Sequence, residues 1–172
     1  QTYLNYQKIH HASIKAISDS VKYKQNYQLI SSQVINSTFD SKNNYLTLNS
    51  GSRHKLQEGM GIISSKGVVG QVAVVQDEYS LGLSILHPST KIKSRIKNKN
   101  QFGVTVWKGE DSRIMHLLNI PKFVEVIVGD TIETGGKSTI FPEGIPIGTI
   151  LKINQGNTAD NKVDIKLFND MT

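Results

Sequence analysis

Residues 129–150 read GDTIETGGKSTIFPEGIPIGTI, and a glycine pair followed by lysine and serine suggests a phosphate-binding loop. That loop needs G-x-x-x-x-G-K-[ST] between a strand and a helix, so that backbone N–H groups converge on phosphate at a helix N-terminus. Counting back from Gly136, the first glycine belongs at position 131, which is Thr131. Pro142, Gly144, Pro146 and Gly148 follow and forbid the required helix. A nucleotide site is therefore rejected here.

Hydrolytic chemistry fares no better. A serine hydrolase brings Ser, His and a carboxylate together, but the chain has no G-x-S-x-G elbow, and His10, His11, His54, His87 and His116 are scattered. Neither H-x-H nor H-E-x-x-H occurs, and there are no cysteines, so metal, thiol and disulfide chemistry have no support. No catalytic, cofactor-binding or metal-ligating residue is assigned, and Glu110 and Asp111 fall in a hairpin turn.

The most regular charge pattern is KIKSRIKNK, residues 91–99. On a strand, Lys91, Lys93, Arg95, Lys97 and Lys99 share one face and the isoleucines the other. The stripe suits phosphate, anionic lipid or an acidic partner. It equally suits a solvated face whose lysines discourage edge pairing. A formal charge of +6 fits each of these readings.

The elements that carry these residues are strands. Apolar runs appear at 32–38, 44–48, 60–64, 68–76, 79–86, 92–97, 103–108, 113–118, 124–128, 131–134, 148–154 and 163–168, with turn residues between them. Such spacing argues for an all-β sandwich or barrels. Residues 1–28 differ: they lack Gly and Pro, and Tyr3, Ile14, Ile17 and Val21 fall on one helical stripe, as at the end of a coiled coil. The fold class expected is mainly β, an N-terminal α-helix followed by two small β-barrels. Residues 29–98 form the first barrel, completed by 151–172, and residues 99–150 the second. No apolar run approaches the roughly 18 residues of a membrane span, and with no initiator Met the chain is expected to be part of a longer protein.

Two stretches together resemble one family. LTLNSGSRHKLQEGMGIISSKGVVGQV (46–72) carries a strand, a Gly-Ser turn and a G-V-V-G turn. LLNIPKFVEVIVGDTIETGGKSTIFPEGIPIGTI (117–150) carries an I-P, a G-D and F-P-x-G-I-P-I-G. Both are similar to the extracytoplasmic region of the bacterial rod-shape-determining MreC family. The matching positions are Gly67, Val69, Gly70, Gly129, Asp130, Phe141, Pro142, Gly144, Pro146 and Gly148. Gly135 departs from the family's usual Ser, and His54-Lys55-Leu56 from its usual Asp-Gly-Ile.

The resemblance implies a non-enzymatic scaffold of the cell-wall elongation machinery, without cofactors, on barrels likened to a trypsin-like fold lacking its triad. It implies a single-pass anchor in the bacterial inner membrane by an upstream helix, with this region periplasmic. Its implied partners are the elongation-specific penicillin-binding transpeptidase, MreD, RodA and, indirectly, MreB. Dimerisation would run through the helix bearing Tyr3, Ile14, Ile17 and Val21, and larger assembly through the barrels. Phe39, Tyr45 and Met60 are candidate contacts of the first barrel, and ordinary core packing would explain them equally. The other readings are an oligonucleotide-binding barrel using the 91–99 face and a degenerate trypsin-like hydrolase.

Overall fold

The computed structural model describes residues 27, 29–154 and 160–172. The expected helix, with Tyr3, Ile14, Ile17 and Val21, lies outside the described residues. The described chain is built of antiparallel strands, with one short 3₁₀ turn at Ser52–His54. No helix among the described residues is long and apolar enough to cross a membrane.

The strands form two units. β1 (Val34–Ser37), β2 (Tyr45–Leu48), β3 (Gly61–Ser64), β4 (Gly67–Val75) and β5 (Ser80–Ser84) make an open half-barrel in the order β1-β2-β5-β4-β3. β6 (Lys91–Ile96), β7 (Phe102–Val106), β8 (Ile114–Pro121), β9 (Thr131–Thr134), β10 (Pro146–Asn154) and β11 (Asp160–Leu167) close into a barrel in the order β10-β11-β8-β7-β6-β9. Alternation explains the closure. In β11, Asn161, Val163, Ile165 and Leu167 are buried while the residues between them are half-buried or exposed. Ile92, Ser94 and Ile96 do the same in β6.

These pairings depart from the boundaries expected above. β6 pairs with β7 and β9, and β11 with β8 and β10, so residues 91–96 and 160–167 both belong to the closed barrel. Register decides this, since Ile165 sits opposite both Met115 and Ile150. The tail after β11 then reaches the half-barrel. Residues 124–128 are likewise no strand. Val124 and Val126 do pack inward against the barrel core, but the segment is a loop tied by local turns, with Val124 N–H on Pro121 O at 3.0 Å and Asp130 N–H on Ile127 O at 3.1 Å.

The two units meet at the G-V-V-G motif. Val68 and Val69 point to opposite faces of β4, as successive strand residues must. Val68 joins the barrel core, with Ile147 and Leu167 among its members, and Val69 joins the half-barrel core with Leu46, Leu48 and Ile62. Gly67 has φ +133, and a Cβ there would stand 2.0 Å from Pro146 O, so only glycine lets β4 approach the start of β10.

The C-terminal tail fastens this junction. Asn169 donates to Val68 O at 2.9 Å and accepts from Ser64 Oγ at 2.7 Å. Met171 packs against both cores. Cutting the Asn169 side chain leaves buried polar groups without partners, which costs about 1–3 kcal/mol. Asn169→Ala should lower the unfolding free energy by that amount, read as a lower guanidinium midpoint at an unchanged m-value, whereas Asp170→Asn, on the exposed neighbour, should stay within about 0.5 kcal/mol of the parent. Equal midpoints for the two variants would show that Asn169 is no fastener.

Candidate partner-binding cleft

The β9–β10 connection, residues 135–145, carries both the glycine-lysine-serine stretch and the F-P-E-G-I-P run. Thr134, the last residue of β9, organises it. Its N–H donates to Ile145 O and its carbonyl accepts from Gly144 N–H, both at 2.9 Å. Its hydroxyl accepts from Ile145 N–H at 2.9 Å and donates to Pro142 O. The loop is thereby folded back on the strand that begins it, and it contains no helix. Lys137 does not face an anion site; its Nζ lies over the Phe102 ring, 3.5 Å from the centroid, a cation–π contact.

A charged clamp braces the other side. Arg95 donates from Nε and Nη2 to Glu133 Oε1 at 2.8 and 2.6 Å, and its Nη1 lies 2.6 Å from Glu143 Oε1. Burial works against the guanidinium charge, but the two carboxylates outweigh it and hold its pKa above the ordinary value. Lys99 is likewise bound to Asp130 at 2.7 Å, and β6 ends at Ile96. The five cations of the 91–99 stripe therefore do not act as one free face: Arg95 and Lys99 serve internal ion pairs, while Lys91, Lys93 and Lys97 are exposed.

The clamped loop presents Phe141, which is 4% exposed, to the half-barrel. Gly61 at the start of β3 makes room, since a Cβ there would lie 2.4 Å from Phe141 Cε1. Above this contact opens an apolar cleft of about 300 Å³. The half-barrel lines it with Val34, Leu48, Met60 and Ile62, the clamped loop floors it with Phe141 and Ile145, and Tyr27 and Leu29 join the lining from the segment before β1.

Of the three contacts named from sequence, Met60 lines the cleft. Phe39 and Tyr45 sit apart from it, 39% and 36% exposed near the β1–β2 connection. Tyr45 O there accepts from the N–H of Thr38, the residue before Phe39, at 3.0 Å. Sequence reasoning missed Tyr27, Leu29 and Leu48, which come together only through the curl of the half-barrel. The signature residues mostly build the junction: Gly67 and Pro146 touch, Phe141 floors the cleft, and Gly129 and Asp130 form a turn in which Asp130 Oδ2 accepts from Ile127 N–H at 3.1 Å.

No histidine in the described residues is arranged for hydrolysis. His54 Nδ1 accepts from Gly51 N–H, and His87 Nδ1 from Ser89 N–H, each at 3.1 Å. His116 Nδ1 lies 3.0 Å from Asp164 Oδ1, and the third member of that cluster is the amide of Asn154, not a nucleophile. Among the described residues no three His, Asp or Glu side chains could hold a metal ion.

A family model described as "Rod shape-determining protein MreC, barrel core" matches residues 34–172. The chain belongs to the MreC family. It is 29% identical over 132 residues to the cell shape-determining protein MreC of Escherichia coli K12, a match covering 76% of this chain and 35% of that protein. It is 26% identical over 142 residues to the Listeria monocytogenes protein, covering 80% and 46%. The match thus spans less than half the length of either relative. The fold is that of the crystal structure of MreC from Pseudomonas aeruginosa, with a TM-score of 0.75 at 17% identity over 81% of this chain and 90% of that one. It is also that of Helicobacter pylori MreC, solved in complex with the penicillin-binding protein PBP2, with a TM-score of 0.60 at 19% identity over 71% and 75%.

In this MreC-family chain His87 connects the candidate contact Tyr45 to the interior, their ring centroids 5.1 Å apart. Burial holds its pKa below 6.5. The unfolded chain then binds more protons than the folded one, so stability falls as pH drops through about 6.5. Protonation would also set an N–H against Ser89 N–H. The melting temperature should decline between about pH 7.5 and about pH 5.5, and His87→Gln should lose that part of the decline. A variant profile identical to the parent's would clear His87 of the effect.

Proposed function

We propose that this chain is the partner-binding region of a cell-shape scaffold and performs no catalysis of its own. The observation that carries the reading is the apolar cleft between the half-barrel and the clamped Phe141 loop, lined also by Tyr27 and Leu29. A concave apolar site with few polar groups suits insertion of a partner's apolar side chains. The partner we assign is the elongation-specific penicillin-binding transpeptidase, and the complex formed by the Helicobacter pylori relative supports the choice. Family membership further supports an extracytoplasmic location, since a related structure is a "major periplasmic domain". The proposal extends to an upstream membrane anchor, a homodimer through residues 1–28, and association with MreD, RodA and, indirectly, MreB.

The test is binding of the cognate transpeptidase ectodomain to the immobilised chain. Met60→Asp should weaken it by at least about tenfold, as expected at the centre of an apolar contact. Tyr27→Asp, at a position 50% exposed, should weaken it without touching either core, so an altered melting temperature cannot explain the loss. Full affinity in both variants would exclude the cleft, and no binding by the parent chain would exclude the partner.

A further inference from the structure

The closed barrel has two ends. The β9–β10 loop at one end faces the half-barrel and floors the cleft. At the other end lie the β6–β7 turn, the β8–β9 loop, the end of β10 at Asn154 and the start of β11 at Asp160. That free end carries the most exposed large apolar side chain described, Phe123 at 89%, together with Ile127 at 51%, Val128 at 59% and Leu151 at 46%. Gly129 N–H donates to Ile150 O at 2.8 Å, which sets the Val128 end of the loop beside β10, next to Leu151.

The loop is held rigidly in this display. Val124 and Val126 pack into the barrel core. Asp130 Oδ2 takes Ile127 N–H and Lys99 Nζ, and Lys99 also donates to Glu125 O at 3.2 Å. Phe123, just before these anchors, and Ile127 and Val128, among them, are thereby held exposed as a wedge. Around them the exposed charge is mainly positive. Lys97, Lys122, Lys152 and Lys162 are exposed, while of the acids Asp130 is paired with Lys99, Asp164 is engaged by His116 and Asn154, and Asp160, opposite Pro121, is half-buried. Glu125 is the exposed exception.

An apolar wedge ringed by lysines matches the interface of an anionic bilayer, where side chains such as Phe, Ile and Leu enter the acyl boundary and ammonium groups stay at the headgroups. We propose that this end of the barrel docks on an anionic phospholipid surface, with Phe123 as the inserting residue. Because the cleft lies at the opposite end, lipid contact leaves it free for a protein partner.

The test is co-sedimentation of the chain with vesicles of phosphatidylcholine alone and of equal parts phosphatidylcholine and phosphatidylglycerol. Binding is expected only to the second, weakening by roughly fivefold for each lysine neutralised, for instance by Lys152→Gln. Phe123→Asp should reduce it by at least about tenfold at an unchanged melting temperature. Whatever residues 1–26 contribute is common to both chains. Phe123→Trp supplies a direct reading, since its emission should shift to the blue on the anionic vesicles while Trp107 is buried and constant. No sedimentation with the anionic vesicles, no loss in Phe123→Asp, or no blue shift would each overturn the proposal. So would a Phe123→Asp chain that keeps its lipid binding but loses self-association or transpeptidase affinity, because the wedge would then be a protein interface.

Discussion

The close approach of β4 to β10 governs the rest of this structure. The half-barrel and the closed barrel share no strand pairing, so no ladder of hydrogen bonds sets their relation. It is set where Gly67 lies against the carbonyl of Pro146, closer than any side chain would allow. From that contact Val68 drops into one core and Val69 into the other. A rotation between the units would have to unpack both valines together and break the Asn169 bridge. The cleft inherits this rigidity, because its floor belongs to the barrel and its walls to the half-barrel.

Closure distributes the adhesive surface unevenly. In the barrel each strand pairs on both sides, so its backbone offers little to a partner. What remains available is the half-barrel, whose strand order ends at β1 and β3, and the loops at the barrel's free end. Exposed apolar side chains collect in those places, among them Ile35 and Phe39 on one unit and Phe123 and Val128 on the other. A protein that works by contact needs such surfaces held still, and here the holding is done by ion pairs and turns behind them, such as Arg95 with Glu133 and Lys99 with Asp130.

Much of the fold was legible because period-two alternation is a local property. β6 could be placed to within one residue at each end and β11 could be found though its start was read three residues late, and the failure of the phosphate-loop spacing at Thr131 already excluded a nucleotide site. Membership of a sheet is not local. Residues 91–96 and 160–167 looked like parts of the first unit, yet which neighbours they take depends on register against β7 to β10. Residues 124–128 misled for a different reason. Val124 and Val126 alternate with outward residues as in a strand, but Asp130 ties the backbone into a turn before any ladder can form. The cleft was least legible. Met60 could be named as an apolar contact, but Tyr27 and Leu48 join it only through curvature that no single segment encodes.

The 91–99 stripe shows where sequence periodicity stops being informative about function. Alternation correctly put Lys91, Lys93 and Arg95 on one face of β6. It says which way a side chain points and nothing about whether its charge is already committed. Glu133 lies 38 residues from Arg95 and Glu143 farther still, and both reach it because β9 pairs with β6 and the Thr134-organised loop folds back. A guanidinium held between two carboxylates contributes little to an outside anion, since the field of the cation is cancelled within a few ångströms. The lysine of the glycine-lysine-serine stretch is spent the same way, on the face of Phe102. In both places the residues that looked most ready for a phosphate instead brace the loop that carries Phe141 to the cleft.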